Sequence, residues 1–151
     1  MITFSVEEWE DTLPELKPLF PIHYKELALN QDVIPLDPQW DVYSDRNANG
    51  QLMLVVGRED GYVIGYFIGF VMPSLHYKTS LTLTMDIFYI HPEKRKGRCG
   101  IKLFQAVEKE ARRRGVQRML VGSKMHKDAS VLFKYLKYEP IETYFSKMLG
   151  E

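Results

Sequence analysis

Asp86-Ile87-Phe88-Tyr89-Ile90-His91-Pro92-Glu93-Lys94-Arg95-Lys96-Gly97-Arg98-Cys99-Gly100-Ile101 is the stretch on which the reading of this chain turns. An apolar run stops at His91-Pro92, and a loop with two glycines and five bases between Lys94 and Lys102 follows. Ile101, Phe104, Val107 and Ala111 then recur at helical spacing, so the order is strand, loop, amphipathic helix. A loop in that place can turn its backbone N–H groups around an anion, and the helix N-terminus adds partial positive charge. Glycine lets the backbone approach a phosphate, and Arg and Lys supply charge-assisted bonds. The physics reads as a phosphate site; the plainer reading is a solvated basic turn at a helix start. Neither Gly-x-x-x-x-Gly-Lys-Ser/Thr nor Gly-x-Gly-x-x-Gly occurs.

Working upstream, residues 81–90 alternate Leu81, Leu83, Met85, Ile87 and Tyr89 against Thr82, Thr84, Asp86, Phe88 and Ile90, which predicts a half-polar strand with Asp86 on its Thr face. Residues 62–72 are apolar on both faces, as in the buried middle of a sheet, and Glu59-Asp60-Gly61 signals a hairpin from a strand over 51–56. Residues 30–50 read as a long loop. Ser5-Val6-Glu7-Glu8 reads as a capping box opening a helix to about residue 17, with Pro18 and Pro21 separating it from a second helix over 23–29. Downstream, Gly115 is a natural helix stop, 118–123 a short strand, Asp128 the cap of a helix to 136, and 142–149 a last strand. The expected order is α-α-β-β-β-α-β-α-β in one mixed α/β domain over 1–151.

Composition narrows the class. The 151 residues suit one domain, and 45% hydrophobic with 13% aromatic residues argues against disorder. The N-terminus lacks a basic n-region, and the most apolar run is too short to cross a membrane, so the expectation is a cytoplasmic protein without membrane contact. One cysteine makes neither an internal disulfide nor a cysteine-based zinc site, and no metal is expected. The formal charge is zero, yet between Lys94 and Lys137 there are 14 Lys or Arg against three acids. That segregation suits an anion site in the C-terminal half. A basic nucleic-acid-binding domain is a weaker reading, because the aromatics are not interleaved with the basic loop.

The loop resembles the coenzyme A diphosphate loop of GNAT acetyltransferases, Arg/Gln-x-x-Gly-x-Gly/Ala. Arg95 matches its first position and Gly100 its last, while Arg98 stands at the middle glycine with Gly97 one residue earlier. Phe88 to Pro92 is similar to that family's fourth strand, and the helix followed by Gly115-Val116-Gln117-Arg118-Met119 to its helix-Gly-strand step. Ala129 to Glu139 is similar to its late Ala-x-x-Leu-Tyr-x-x-Leu-Gly-Phe segment. The resemblance spans roughly residues 50–149. His23-Tyr24, the loop Pro38-Gln39-Trp40-Asp41 and the His76-Tyr77 turn look like bacteriophage and prophage members of the group.

The resemblance implies a mostly antiparallel sheet with helices on both faces and a splayed fourth strand. It implies acetyl-CoA as co-substrate and an amine as acceptor. The backbone of Phe88, Tyr89 and Ile90 would hold the pantetheine arm, and Arg95, Lys96, Gly97, Arg98, Cys99 and Gly100 the diphosphate. Asp86 stands where many relatives carry a catalytic Glu, so it is either the base, through water, or a carboxylate paired with Thr84 or a lysine. The usual acid is a Tyr where this chain has Phe133, and Tyr135 lies about 200° round the helix. The acid is thus unassigned, and an inactive binding module stays open beside the enzyme. Cys99 reads as a small apolar filler. His126 is either a proton relay or a surface or capping histidine. His23, Tyr24, Trp40, Tyr43, His76 and Tyr77 are candidates for an aromatic wall that selects the acceptor, with core packing the plainer role. A homodimer is compatible with all of this.

Overall fold

A computed structural model describes residues 1–150. Five strands form one sheet in chain order: β1 (Ile2–Val6), β2 (Leu52–Glu59), β3 (Tyr62–Pro73), β4 (Leu81–Ile90) and β5 (Arg118–Leu120). The first four are antiparallel neighbours, and β5 joins β4 in parallel. Asp60 and Gly61 take φ of 52° and 84°, the left-handed pair that matches a tight hairpin to the twist of its strands.

The sheet is covered on both faces. Helices α1 (Trp9–Leu16), α2 (Leu19–Leu27) and α3 (Trp40–Ala48) lie on one, where Trp9, Leu16 and Phe20 pack on Leu52, Leu54, Val56, Tyr66 and Ile68. On the other, α4 (Cys99–Arg113) and α5 (Ser130–Tyr135) bring Leu103, Phe104, Val107 and Phe133 onto Met53, Val55, Phe67 and Leu83. β2 and β3 are buried on both sides, which accounts for their continuous apolar sequence. Helix α4 ends where expected: Gly115 takes φ of +81°, and Val116 N–H reaches back to Ala111 C=O at 3.0 Å. Asp128, one residue before the Ala129 N-cap of α5, accepts the Ser130 N–H at 2.8 Å. Among the described residues no helix is long and apolar enough to cross a membrane.

Three expectations are corrected. Ser5 and Val6 belong to β1, paired with Val56 and Val55, and α1 starts only at Trp9 with no side-chain cap. Glu8, the glutamate of the expected box, instead accepts from Asn47 Nδ2 at 2.8 Å, while neighbouring Glu7 is held by the Arg58 guanidinium, 2.8 Å from its Nε. Residues 30–50 contain α3. Residues 142–149 form no strand, and Ile141, Tyr144, Phe145 and Leu149 are exposed. Their spacing lacks the alternation of a strand, and β5, three residues long, offers little edge to pair with.

Candidate active site

The site begins at an irregularity in β4. Ile68 lies opposite Ile87 and Gly69 opposite Met85, so Asp86 is an extra residue without a partner, a β-bulge. The bulge shifts the phase of the strand. Leu81, Leu83 and Met85 face α4, Asp86 and Ile87 both face α1–α3, and from there Phe88 and Ile90 face α4 while Tyr89 faces the other side. The unbroken alternation read from the sequence is therefore wrong beyond Met85. Gly69 leaves the needed room, since a Cβ there would stand 2.8 Å from both Leu83 and Phe67.

Beside the bulge the sheet opens. β5 pairs with β4 only from Thr82 opposite Arg118 to Thr84 opposite Leu120, so the outer edge of 85–90 has no strand next to it, which is the expected splay. His91 N–H donates to Ile64 C=O at 2.7 Å, which fixes the alternation. Tyr89 turns its backbone groups to β3, while Phe88 and Ile90 turn theirs to the open edge. The Ile90 carbonyl is already taken by Arg95 Nε at 2.8 Å.

The loop leaves β4 through one 3-10 turn, Pro92–Lys94. Its first two bases are committed inside the protein. Lys94 pairs with Glu59 at 2.7 Å, and the Arg95 guanidinium closes on both oxygens of Glu26 at 2.5 and 2.6 Å. Gly97 then takes φ of +85°, followed by Arg98 at −107°, where a side chain is accommodated without strain. Helix α4 starts without a side-chain cap, and its first backbone bond is Lys102 N–H to Arg98 C=O. The N–H groups of Cys99, Gly100 and Ile101 are thus left for an outside acceptor. Lys96, Arg98 and Lys102 are exposed and make no ion pair among the described residues. A Cβ on Gly100 would stand 3.2 Å from Leu132, so this glycine serves the approach of α5. Cys99 packs against the core as a small filler.

Asp86 meets α3. The Tyr43 hydroxyl donates to its Oδ2 at 2.5 Å, a partner 43 residues away that no sequence signal indicated. The carboxyl is exposed by area, yet enough protein surrounds it that burial lifts it above the ordinary carboxylate range, against the pull of the Tyr43 bond and the Arg46 charge. The same burial, with the Asp86 contact, raises the Tyr43 hydroxyl. Neither Thr84 nor a lysine pairs with Asp86.

The proposed aromatic wall divides. His23, Trp40 and Tyr43 join one cluster with Trp9, Phe20, Tyr66 and Tyr89 on the α1–α3 face. His23 is buried, its Nδ1 is 3.5 Å from Tyr66 Oη, and burial first, then the Arg95 and Lys124 charges, hold it down to about 4 despite Glu26. Tyr24 is spent on the backbone, its hydroxyl donating to the Ile34 carbonyl. His76 and Tyr77 sit together on the exposed β3–β4 turn, outside the cluster. His126 Nε2 lies 2.7 Å from the Leu27 carbonyl, tying the loop after β5 to α2. Phe133 is buried against Phe104 and Phe88, and Tyr135 points to solvent.

A strand that splays past a bulge thus runs beside an uncapped helix N-terminus. The model of the acetyltransferase (GNAT) family matches residues 9–134. The chain belongs to that family. Its fold is shared by a predicted acetyltransferase from Clostridium acetobutylicum solved with acetyl-CoA, at 13% identity and a TM-score of 0.72 over 99% of this chain and 97% of that one. It is shared equally by a ribosomal-protein-alanine N-acetyltransferase from Brucella melitensis, at 15% identity and 0.76 over 100% and 99%. An aminoglycoside acetyltransferase from an uncultured soil sample gives 12% identity and 0.75 over 99% and 97%. No curated protein matches the sequence.

Proposed function

We propose that this chain moves the acetyl group of acetyl-CoA to an amine of a small molecule or protein. The observation that carries this reading is one continuous edge: it starts at the bulged Asp86, runs along the unpaired side of β4, and ends at the uncapped first turn of α4. Family membership supplies the co-substrate, a thioester whose carbonyl carbon is the electrophile. The backbone of Phe88 and Ile90 would hold the pantetheine arm, with Tyr89 anchoring the strand to β3. The N–H groups from Gly97 to Ile101 would receive the diphosphate, with Lys96 and Arg98 adding charge.

Asp86 would act as the base. The amine lone pair attacks the carbonyl carbon, the C–S bond breaks, and the amine proton passes to Asp86 directly or through water. Phe133 offers no hydroxyl for the departing sulfur, and a thiol with a pKa of about 8.5 leaves tolerably as thiolate. Calorimetry with acetyl-CoA, then thiol release over an amine panel, tests the reading. Binding followed by release that Asp86→Asn cuts at least tenfold is expected. Binding without release for any amine would mark a coenzyme-binding module instead, and a chain indifferent to acetyl-CoA would end both.

A further inference from the structure

Helix α3 comes from a segment that the sequence marks only as loop, and it lays one side chain on Asp86. We propose that Tyr43 is a positioning residue: its hydroxyl, donated to Asp86 Oδ2, holds the carboxylate ionised and turned so that Oδ1 faces the incoming proton. This rests on the reading of Asp86 as base.

The geometry favours a fixed donor over an incidental contact. The Tyr43 ring stacks on Trp9 at 5.1 Å with 16° between planes, and it also touches Trp40 and Phe70. Trp9 is fully buried, so the ring rests on a rigid floor and the hydroxyl cannot swing away. Among the described residues, Asp86 Oδ1 accepts no hydrogen bond. One turn along α3, Arg46 stacks over Phe70 at 4.4 Å and brings positive charge to the same side. The titratable and charged groups facing Asp86 are therefore Tyr43 and Arg46 from α3 and Tyr66 from β3. Burial works against a base here, because a carboxyl kept neutral has no room for another proton. A hydroxyl donating to the charged form opposes that tendency, and a rigid donor orients the acceptor as well.

The test reads Asp86 itself. In carbon-detected NMR, the Asp86 carboxyl titration of Tyr43→Phe should move up by about one pH unit relative to the parent chain. A titration that stays in place overturns the proposal. The phenyl ring keeps the stacking on Trp9; should the variant not fold, labelling the parent chain with 3-fluorotyrosine, a stronger donor, should move the same titration down, and an unmoved one counts against it equally. With acetyl-CoA and the best amine of the panel, the acid limb of kcat in Tyr43→Phe should rise by the same unit, with KM for acetyl-CoA unchanged. A purely structural tyrosine would leave that limb in place. If Asp86→Asn is impaired while the Tyr43→Phe limb stays put, the base stands and the positioning role falls. If Asp86→Asn works at the parent rate, the base reading itself has failed and the role goes with it.

Discussion

Arg95 and Glu26, 69 residues apart in sequence, are joined by two hydrogen bonds of 2.5 and 2.6 Å, and the third contact of the same guanidinium is the Ile90 carbonyl. The residue that a diphosphate-loop motif marks as its first anion contact is thereby engaged by partners within the protein. It fastens α2 to the end of β4, and Glu26 is held below the ordinary carboxylate range by that contact.

Replacing Arg95 with Ala should accordingly cost stability before it costs coenzyme. Loss of the bidentate pair and the carbonyl contact is worth about 1 kcal/mol, a fall in Tm of roughly 2–4 °C for a chain of this size. Affinity for acetyl-CoA should fall less than about threefold, under 0.7 kcal/mol. Thermal melts and calorimetry decide it; an unchanged Tm beside a collapse in affinity would return Arg95 to the anion site.

Gly97 and Gly100 are both glycines of the loop, only Gly100 at a glycine position of the motif, and they should respond differently. At Gly97 nothing lies within 4 Å of an added Cβ, but the backbone has φ of +85°. Gly97→Ala therefore costs about 1–2 kcal/mol of backbone strain, or relaxes by turning its N–H groups. Coenzyme affinity should drop roughly tenfold. At Gly100 the added carbon meets the end of Leu132, a side chain that can yield by a few tenths of an ångström. Gly100→Ala should fall within about 0.5 kcal/mol of the parent, the crowding offset by helix propensity. Equal effects at both positions would contradict the distinct roles assigned to them.

Acid should act through Glu110. This carboxylate on α4 accepts from Arg113 and Arg114, and Arg114 reaches on to the Leu52 carbonyl at 2.9 Å, pinning the helix end to β2. The Arg113 bond first, then the Arg114 bond and both charges, hold Glu110 down to about 2 against the cost of its burial. A carboxyl lowered on folding contributes stability that is complete above its unfolded value near 4.5 and is lost as pH falls toward about 2. Glu110→Gln should be about 1–2 kcal/mol less stable at neutral pH, allowing for screening of the exposed Arg113. In urea melts across pH the two stability curves should converge at the acid end. A gap that persists at pH 2 would assign the loss to packing.

What the sequence made legible was local. Strand 81–90, the Asp60-Gly61 hairpin and the stripe of α4 each carry their period within a dozen residues, and the place of the basic loop between strand and helix followed from their order; the open edge came only from the family resemblance. The bulge was less legible, because Leu81 to Ile90 can be written as unbroken alternation. A signal was present: that alternation groups Phe88 and Ile90 with Thr82 and Thr84, a mixed face that a phase shift after Met85 resolves. β1 was hidden because Ser5 to Glu8 satisfies a local capping pattern, and only the pairing of Ser5 with Val56 and the bond of Glu8 to Asn47, both distant in sequence, remove it. Tyr43 on Asp86 and Glu26 on Arg95 join distant segments through side chains, which no periodicity records.

The extra residue in β4 is an insertion that the rest of the strand absorbs. Asp86 and Ile87 share one face and together stand opposite what one residue would, so the pairing with β3 stays in step on both sides of the bulge. Substitution at Asp86 leaves the bulge in place, whereas deleting Asp86 would return β4 to plain alternation, with Ile87, Phe88, Tyr89 and Ile90 keeping their faces and partners and only the bulged carboxylate lost. The added residue thus serves the open edge and its carboxylate, and the layers beyond it are built without it.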